Sequence, residues 1–313
     1  MIKVIKPGVL LTIQDLGRVG YRHLGVSTAG SLDSYAHIIA NRLLNNHDND
    51  AVLEVTVGLC ELEFNCDTLI ALHGADLHAK LDGRAIYPGW TYTVKNKQVL
   101  TFDIGRGGLR AYLAVKGGIQ CPLIMGSRST DLNAGFGGLH GRALSAGDVI
   151  PIQAAANTQA MKQIGALTPA KRKAIRLHPS PHAKLLGPKL VNHFLSTGFK
   201  VSCQSNRMGL RLSHADTQQL VHCHSLPSLA VSPGSIQLPP NGEPIVLLND
   251  GQTTGGYPLL GNVIAADLHQ LAQFNAGDEI VFNYVSFAQA QQAQQALAAH
   301  LAQLNIALHN ARG

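Results

Sequence analysis

Ile245-Val246-Leu247-Leu248-Asn249-Asp250-Gly251-Gln252-Thr253-Thr254-Gly255-Gly256-Tyr257-Pro258 reads as a buried strand that runs into a glycine-rich turn. Four apolar residues in a row, closed by Asn-Asp-Gly, are too few for a helix and include the branched residues that strands favour. The same kind of run recurs along the chain. Ala51 to Phe64 carries Val52, Val55, Val57, Leu59, Leu62 and Phe64, and Leu69 to Leu72, Val99 to Ile104 and Leu109 to Val115 are short, apolar and bounded by Gly or Asp. Further strands are expected around Ile236, Val263 to Ile264 and Ile280 to Val285. The fold class is therefore mainly β with a few helices, in two β units.

Helices are few. Leu32, Tyr35, Ile39 and Leu43 share one face at helical spacing, so a helix is expected between Ser31 and Leu44, with Ser31 as N-cap and Asn45-Asn46 as its end. A short helix is expected over Pro188 to Leu195. The Ala/Gln/Leu-rich tail from Ala288 to His309 reads as a helix of very low charge, whose apolar face docks on the body or on a partner. The span 153–181 is Ala/Gln-rich, then basic, then broken by Pro179 and Pro181, and reads as a linker. The expected domains are a barrel-like β unit over 1–152 and a second β unit with the C-terminal helix over 182–313. Leu144-Ser145-Ala146-Gly147-Asp148-Val149-Ile150 resembles Phe274-Asn275-Ala276-Gly277-Asp278-Glu279-Ile280, a hint that the two units are alike.

Composition narrows the function. Of 313 residues 45% are apolar and 14% charged, which excludes disorder and leaves a real core. The formal charge of +6 is diffuse, and Lys171-Arg172-Lys173 with Arg176 has no interleaved aromatics, so no nucleic-acid partner is expected. No run approaches a membrane span, and Met1 to Gly8 lacks the apolar stretch of a signal peptide, so the expected location is the cytoplasm. Cys60, Cys66, Cys121, Cys203 and Cys223 are odd in number and irregularly spaced, which reads as free thiols. There is no Walker-type loop, no HExxH helix and no GxSxG elbow. His222-Cys223-His224 has no second cluster nearby, so no metal site is expected. Gly135 to Gly141 is glycine-rich but does not match a dinucleotide fingerprint.

Four segments join glycine to charged or amide side chains. They are Asp15-Leu16-Gly17-Arg18-Val19-Gly20 with Gly30-Ser31-Leu32-Asp33, Ser205-Asn206-Arg207-Met208-Gly209-Leu210-Arg211-Leu212, Gly234-Ser235-Ile236-Gln237-Leu238-Pro239, and the opening stretch. Arg207 and Arg211 would point the same way from a strand and form a carboxylate- or phosphate-binding fork; they read equally as a solvated strand face with an ion pair. Gly255 and Gly256 would let a ligand approach backbone N–H groups, and Asp250 beside them could move a proton. The same residues also read as a plain tight turn capped by Asp250.

Taken in order, these blocks resemble the allophanate hydrolase subunit 2 family, also called the biotin-dependent carboxyltransferase or KipA-like family. The matching residues are Asp15-Leu16-Gly17-Arg18, Gly126-Ser127-Arg128-Ser129-Thr130, Asn206 to Leu212, and Gly234 to Gln237 with Gln252 to Pro258. One departure is Gly30-Ser31-Leu32-Asp33, where the family commonly has Gly-Ala-Met-Asp. The resemblance implies a cyclophilin-like β-barrel architecture. It implies a component of an ATP-dependent 5-oxoprolinase that opens 5-oxo-L-proline to L-glutamate, in a hetero-oligomer with a KipI-like (B-type) partner and a LamB/YcsF-like (A-type) partner. ATP, with Mg, would act at the level of the complex, on a small amide or lactam substrate.

The catalytic residues expected are Asp250 and Arg207. Substrate binding is expected from Arg18, Asp33, Arg211 and Gln237, and from the turn Thr253, Thr254, Gly255, Gly256 and Tyr257, which together would make a pocket from both halves of the chain. The partial biotinylation motif Ala160-Met161-Lys162-Gln163 lies in the Ala/Gln-rich span rather than between strands, so no covalent biotin is expected here. Two other readings stay open: the carboxyltransferase component of a biotin-dependent urea or amide carboxylase, and a non-enzymatic antagonist of a KipI-like kinase inhibitor.

Overall fold

The computed structural model describes residues 1–105, 107–153, 163–169, 171–224 and 226–312, with no statement for the side chain of Thr217. The chain forms two compact units. One comprises 1–19, 29–170 and 301–313, and the other 20–28 and 171–300.

The first unit holds two antiparallel sheets. Leu10–Gln14, Val52–Thr56, Arg110–Val115, Thr68–Gly74 and Trp90–Val94 lie side by side in that order. Ile2–Pro7 pairs with Cys60–Phe64 on one side and Val149–Ile150 on the other. Apolar residues such as Ile2, Leu62, Phe64, Ile70 and Leu113 are fully buried in a single cluster. Thr68–Gly74 and Arg110–Val115 are buried at every position, which explains their continuous apolar run.

The expected first helix is Ser34–Leu43. Tyr35, Ile39 and Leu43 are buried along it as the spacing required. Its N-cap is Asp33, not Ser31: Asp33 Oδ1 accepts from Ala36 N at 2.8 Å. Ser31 instead bonds the His37 ring at 2.8 Å. Asn45 turns the chain with a φ of +54°, a conformation asparagine tolerates.

The second unit contains a closed seven-stranded barrel. Its order is Ala174–Pro179, Leu259–Val263, Ser235–Gln237, Ile245–Leu247, Gly209–Ser213, Phe199–Val201 and Glu279–Tyr284. A parallel pairing of the first strand with the last closes it. Closure removes the exposed edges that an open sheet of this length would carry. Ile236, Val246, Leu210 and Leu212 fill the interior, and the rings of Phe194 and Phe282 stack 5.2 Å apart with Phe199 tilted against both. Strand Ala174–Pro179 falls inside the span expected to be a linker. The alternation of Ile175 and Leu177 is the strand signal that the flanking basic residues hid.

The recurrent Ala-Gly-Asp motif has the same geometry in both units. In the first, Ser145 N donates to Asp148 Oδ2 at 2.8 Å, and Gly147 N donates to Val4 O at 2.8 Å. In the second, Asn275 N donates to Asp278 Oδ2 at 2.6 Å, and Gly277 N donates to Val201 O at 2.8 Å. Each turn launches a strand that pairs antiparallel beside it, Val149–Ile150 on Ile2–Pro7 and Glu279–Tyr284 on Phe199–Val201.

The tail is one helix, Phe287–Arg312. Ala290, Ala293, Leu297, Leu301, Leu304 and Leu308 form its less exposed stripe. Among the described residues no helix is long and apolar enough to cross a membrane.

Candidate functional site

The opening stretch and the Asn206 to Leu212 block meet in the second unit. Asn206 and Gly209 exchange backbone hydrogen bonds across a tight turn, and Asn206 Oδ1 also accepts from Met208 N at 2.9 Å. That turn ends the strand's alternation before Arg207. The expected fork of Arg207 and Arg211 therefore does not form: Arg207 is buried while Arg211, on the strand, is exposed.

Arg207 meets Asp250 instead. Arg207 Nε donates to Asp250 Oδ2 at 2.8 Å and Nη2 to Oδ1 at 2.9 Å, and the two side chains are 3% and 1% exposed. Asp250 N also donates to Arg207 O at 3.2 Å. A bidentate, dehydrated pair of this kind fixes a turn rigidly, because either charge left without the other would be costly. Neither residue lines the open cleft beside it.

That cleft has a volume of about 570 Å³ and lies across three adjacent barrel strands. Arg211, Ile245 and Gln237 stand in one cross-strand row on it, since Ile245 is the register partner of both. The alternate residues Leu210, Val246 and Ile236 point into the barrel core. Asn206, Gln252 and Tyr257 complete the polar part of the wall. Among the described residues the Arg211 guanidinium has no ion-pair partner, and it is the only Lys or Arg in this wall; Glu243, held by Asn241 at 3.1 Å, is the acidic one.

Gln237 is 1% exposed. Its Oε1 accepts from Gln252 Nε2 at 3.0 Å, while its Nε2 is buried with no partner among the described residues. Gly255 is the reason the amide fits: a Cβ at that position would lie 2.1 Å from Gln237 Nε2. A Cβ on Gly256 would lie 2.9 Å from Leu226 O. Neither glycine is in the left-handed region, and Thr254–Gly255 pairs with Leu229–Ala230 as a two-stranded ribbon. Gly255 therefore serves the chain's own ribbon and packs closely on Gln237, and Gly256 O accepts from Leu226 N at 3.3 Å, where open N–H groups for a ligand were expected from the pair. Thr253 O accepts from Val231 N at 3.0 Å, Thr254 is exposed, and of these turn residues Tyr257 reaches the cleft.

Sequence reasoning missed Arg22. Its Nη2 donates to Val231 O at 2.8 Å and to Gln252 O at 3.0 Å, so it pins the backbone of the cleft-side turn. No local pattern announces this, because Arg22 is some 230 positions away along the chain.

The Asp15 and Arg18 block builds a cluster within the first unit. Asp15 accepts from Gly17 N at 2.9 Å, Ser127 Oγ at 2.7 Å, Ser129 Oγ at 2.5 Å and Arg128 N at 2.6 Å. It thereby ties Asp15 to Arg18 onto Gly126 to Thr130, the second of the sequence blocks. Arg18 is fully buried, donates to Ile124 O and Ser129 O at 3.0 Å each, and stacks on Phe136. Asp33 caps the helix, and its N–H donates to Tyr112 Oη at 2.8 Å. Both residues, expected to bind substrate, are engaged in holding their own loops. Gly135 to Gly141 packs against this cluster: a Cβ at Gly137 would lie 2.0 Å from Ser129 O.

His222 is held at both ring nitrogens. His224 N donates to His222 Nδ1 at 3.1 Å, which leaves the proton on Nε2 for Leu238 O at 2.8 Å. Among the described residues no group of three potential ligands stands together. Ala160, Met161 and Lys162, the partial biotinylation motif, lie outside the described residues.

The described residues thus define a mainly β protein with a closed barrel and a polar cleft on three of its strands. The chain belongs to the family described as carboxyltransferase domain, subdomain A and B, which matches residues 24–284. It is 41% identical over 310 residues to the Escherichia coli protein named as the C subunit of 5-oxoprolinase, covering 99% of each chain. It is 37% identical over 93% of each chain to the Haemophilus influenzae protein of the same name. Urea amidolyase of Saccharomyces cerevisiae is 30% identical across 91% of this chain, which corresponds to 17% of the yeast protein. The solved structure of Kluyveromyces lactis urea carboxylase superposes with a TM-score of 0.84 at 28% identity, covering 96% of this chain and 29% of the other.

Proposed function

We propose that this chain is the component of an ATP-dependent 5-oxoprolinase that handles the lactam, acting with a KipI-like (B-type) partner and a LamB/YcsF-like (A-type) partner. The observation that carries the reading is the 41% identity, over the full length of both chains, to a protein named as the C subunit of 5-oxoprolinase. The cleft supports it. Arg211 offers a guanidinium for the substrate carboxylate, Ile245 and Tyr257 offer apolar walls for a five-membered ring, and Gln237 and Gln252 offer amide groups. Arg207 and Asp250 act as positioning residues that hold the turn from which Gln252 and Tyr257 project.

A lactam is a stabilised amide that resists water. ATP would supply a phosphoryl group to the amide oxygen, which opens the carbonyl carbon to water so that the C–N bond breaks with the ring nitrogen leaving as the amine, and phosphate is released on hydrolysis. The cleft does not fit a triphosphate, because a single guanidinium beside Glu243 leaves most of that charge unbalanced. ATP and Mg are accordingly assigned to another part of the complex, and the complex is assigned to the cytoplasm. This chain binds and orients the lactam.

The test is reconstitution. Purified with its two partners, the chain is expected to yield glutamate from 5-oxo-L-proline only when ATP is present. An assembled, folded complex that forms no glutamate sinks the proposal. The likeness to urea amidolyase favours one second reading, a carboxyltransferase acting with biotin carried elsewhere. ATP- and bicarbonate-dependent carboxylation of urea in the presence of a biotin carrier would establish that reading instead.

A further inference from the structure

The row Arg211, Ile245, Gln237 shows a built recognition surface. Gln237 is the unusual member. A buried carboxamide whose N–H₂ has no partner costs free energy, and proteins rarely tolerate one without a use. Its other edge atom, Oε1, is met by Gln252, which is itself exposed on the cleft and whose backbone is fixed through Arg22. The Gln252 side chain is therefore free to leave while its backbone stays. Gly255 keeps the Gln237 amide in place from the other side.

We propose that Gln237 reads a cis-amide edge. Its Oε1 accepts the ligand N–H and its Nε2 donates to the ligand C=O, two parallel hydrogen bonds that close a ring, with the ligand N–H taking over the position now held by Gln252 Nε2. A five-membered lactam has its N–H and C=O on the same side because the ring enforces a cis amide. Open peptide amides are almost always trans and cannot offer both groups on one edge. The recognition therefore admits lactams, urea and cyclic ureas, and excludes peptides. Arg211 lies two strands away, about 10 Å at the backbone, and is long enough to meet a carboxylate carried on the same ring. Arg211 thus separates a lactam acid from a plain cyclic urea, while Gln237 serves both. This deepens the lactam-binding reading above and rests on it for the identity of the substrate.

The experiment uses the complex reconstituted with its partners. Binding is measured by calorimetry for 5-oxo-L-proline, for its N-methyl derivative and for imidazolidin-2-one, a cyclic urea without a carboxylate. On the wild-type complex, N-methylation is expected to weaken binding roughly 10- to 100-fold, the weight of one or two buried hydrogen bonds. Gln237→Met is expected to weaken 5-oxo-L-proline and imidazolidin-2-one by a similar factor and to raise KM more than it lowers kcat. Arg211→Met should weaken 5-oxo-L-proline and leave imidazolidin-2-one unchanged.

Equal affinity for the N-methyl derivative overturns the proposal, and this arm needs no variant to fold. Unchanged binding in Gln237→Met also overturns it, as does a wild-type complex that binds neither parent ligand. The two readings fail separately. Gln237-dependent binding of imidazolidin-2-one by a complex that makes no glutamate removes the 5-oxoprolinase assignment and keeps this one. Normal turnover in Gln237→Met does the reverse.

Discussion

Asp250→Asn tests whether the Arg207–Asp250 pair is the clamp of the cleft-side turn. The two side chains are 3% and 1% exposed and joined by bonds of 2.8 and 2.9 Å. Asparagine keeps the shape but offers one accepting oxygen, and its N–H₂ would face the guanidinium. A buried cation without its counter-charge typically costs about 3–5 kcal/mol. At roughly 2–4 °C per kcal/mol for a unit of this size, the midpoint should drop by about 6–20 °C. The double substitution Arg207→Met with Asp250→Leu removes both charges and their hydration cost together. It should lie within about 1–2 kcal/mol of the wild type, so the pair is strongly non-additive. Thermal and urea unfolding followed by circular dichroism read these outcomes. A single-variant loss under about 1 kcal/mol, or a double variant as unstable as the two singles summed, would refute the reasoning.

Three further outcomes follow from the same geometry. Gly255→Ala places a methyl 2.1 Å from Gln237 Nε2, so it should displace that amide and weaken 5-oxo-L-proline binding while costing about 1–3 kcal/mol of stability; unaltered binding would show that Gln237 is not held from that side. Asp15→Asn removes acceptor capacity from a carboxylate that takes four hydrogen bonds, and about 2–4 kcal/mol should be lost, with faster amide exchange at Gly17 and Arg128 as the local sign. His37 is buried, and burial pulls its pKa down to about 4, against smaller opposing pulls from Asp15, Asp48 and Glu54. The unfolded chain takes up the proton near pH 6.5 and the folded chain does not, so stability should be lost as pH falls from about 6.5 towards 4, by up to roughly 3 kcal/mol. His37→Gln should flatten that part of the profile, and an unchanged slope would assign it elsewhere.

The strands were legible because their signals are local. Leu109 to Val115 carries an apolar run that the structure buries at every position from Arg110 onward, and Val246 to Leu248 is buried likewise. The first helix was legible from Tyr35, Ile39 and Leu43, but its cap was not, since Ser31 and Asp33 are both good cap residues and only the fold shows that Ser31 is drawn to His37. The two-arginine fork failed for a related reason. Period-two alternation holds only while the chain stays extended, and the Asn206–Gly209 turn places Arg207 outside the strand. Arg211 and Gln237 were visible as candidates, yet their row across Ile245 depends on register, which no single segment encodes. Arg22 had no signal at all, because its two acceptors are backbone carbonyls far along the chain.

The way the chain is shared between its units bears on how it can be made. Arg22, in the stretch 20–28, is translated more than 200 residues before its partners Val231 and Gln252. The first unit spans a longer separation still: Arg42 donates to Leu301 O at 2.5 Å, and Arg312 bonds Arg42 O. A cut between 170 and 171 would therefore give two fragments, each missing a piece held by the other. Each unit is completed only by stretches of chain that lie far apart in the sequence.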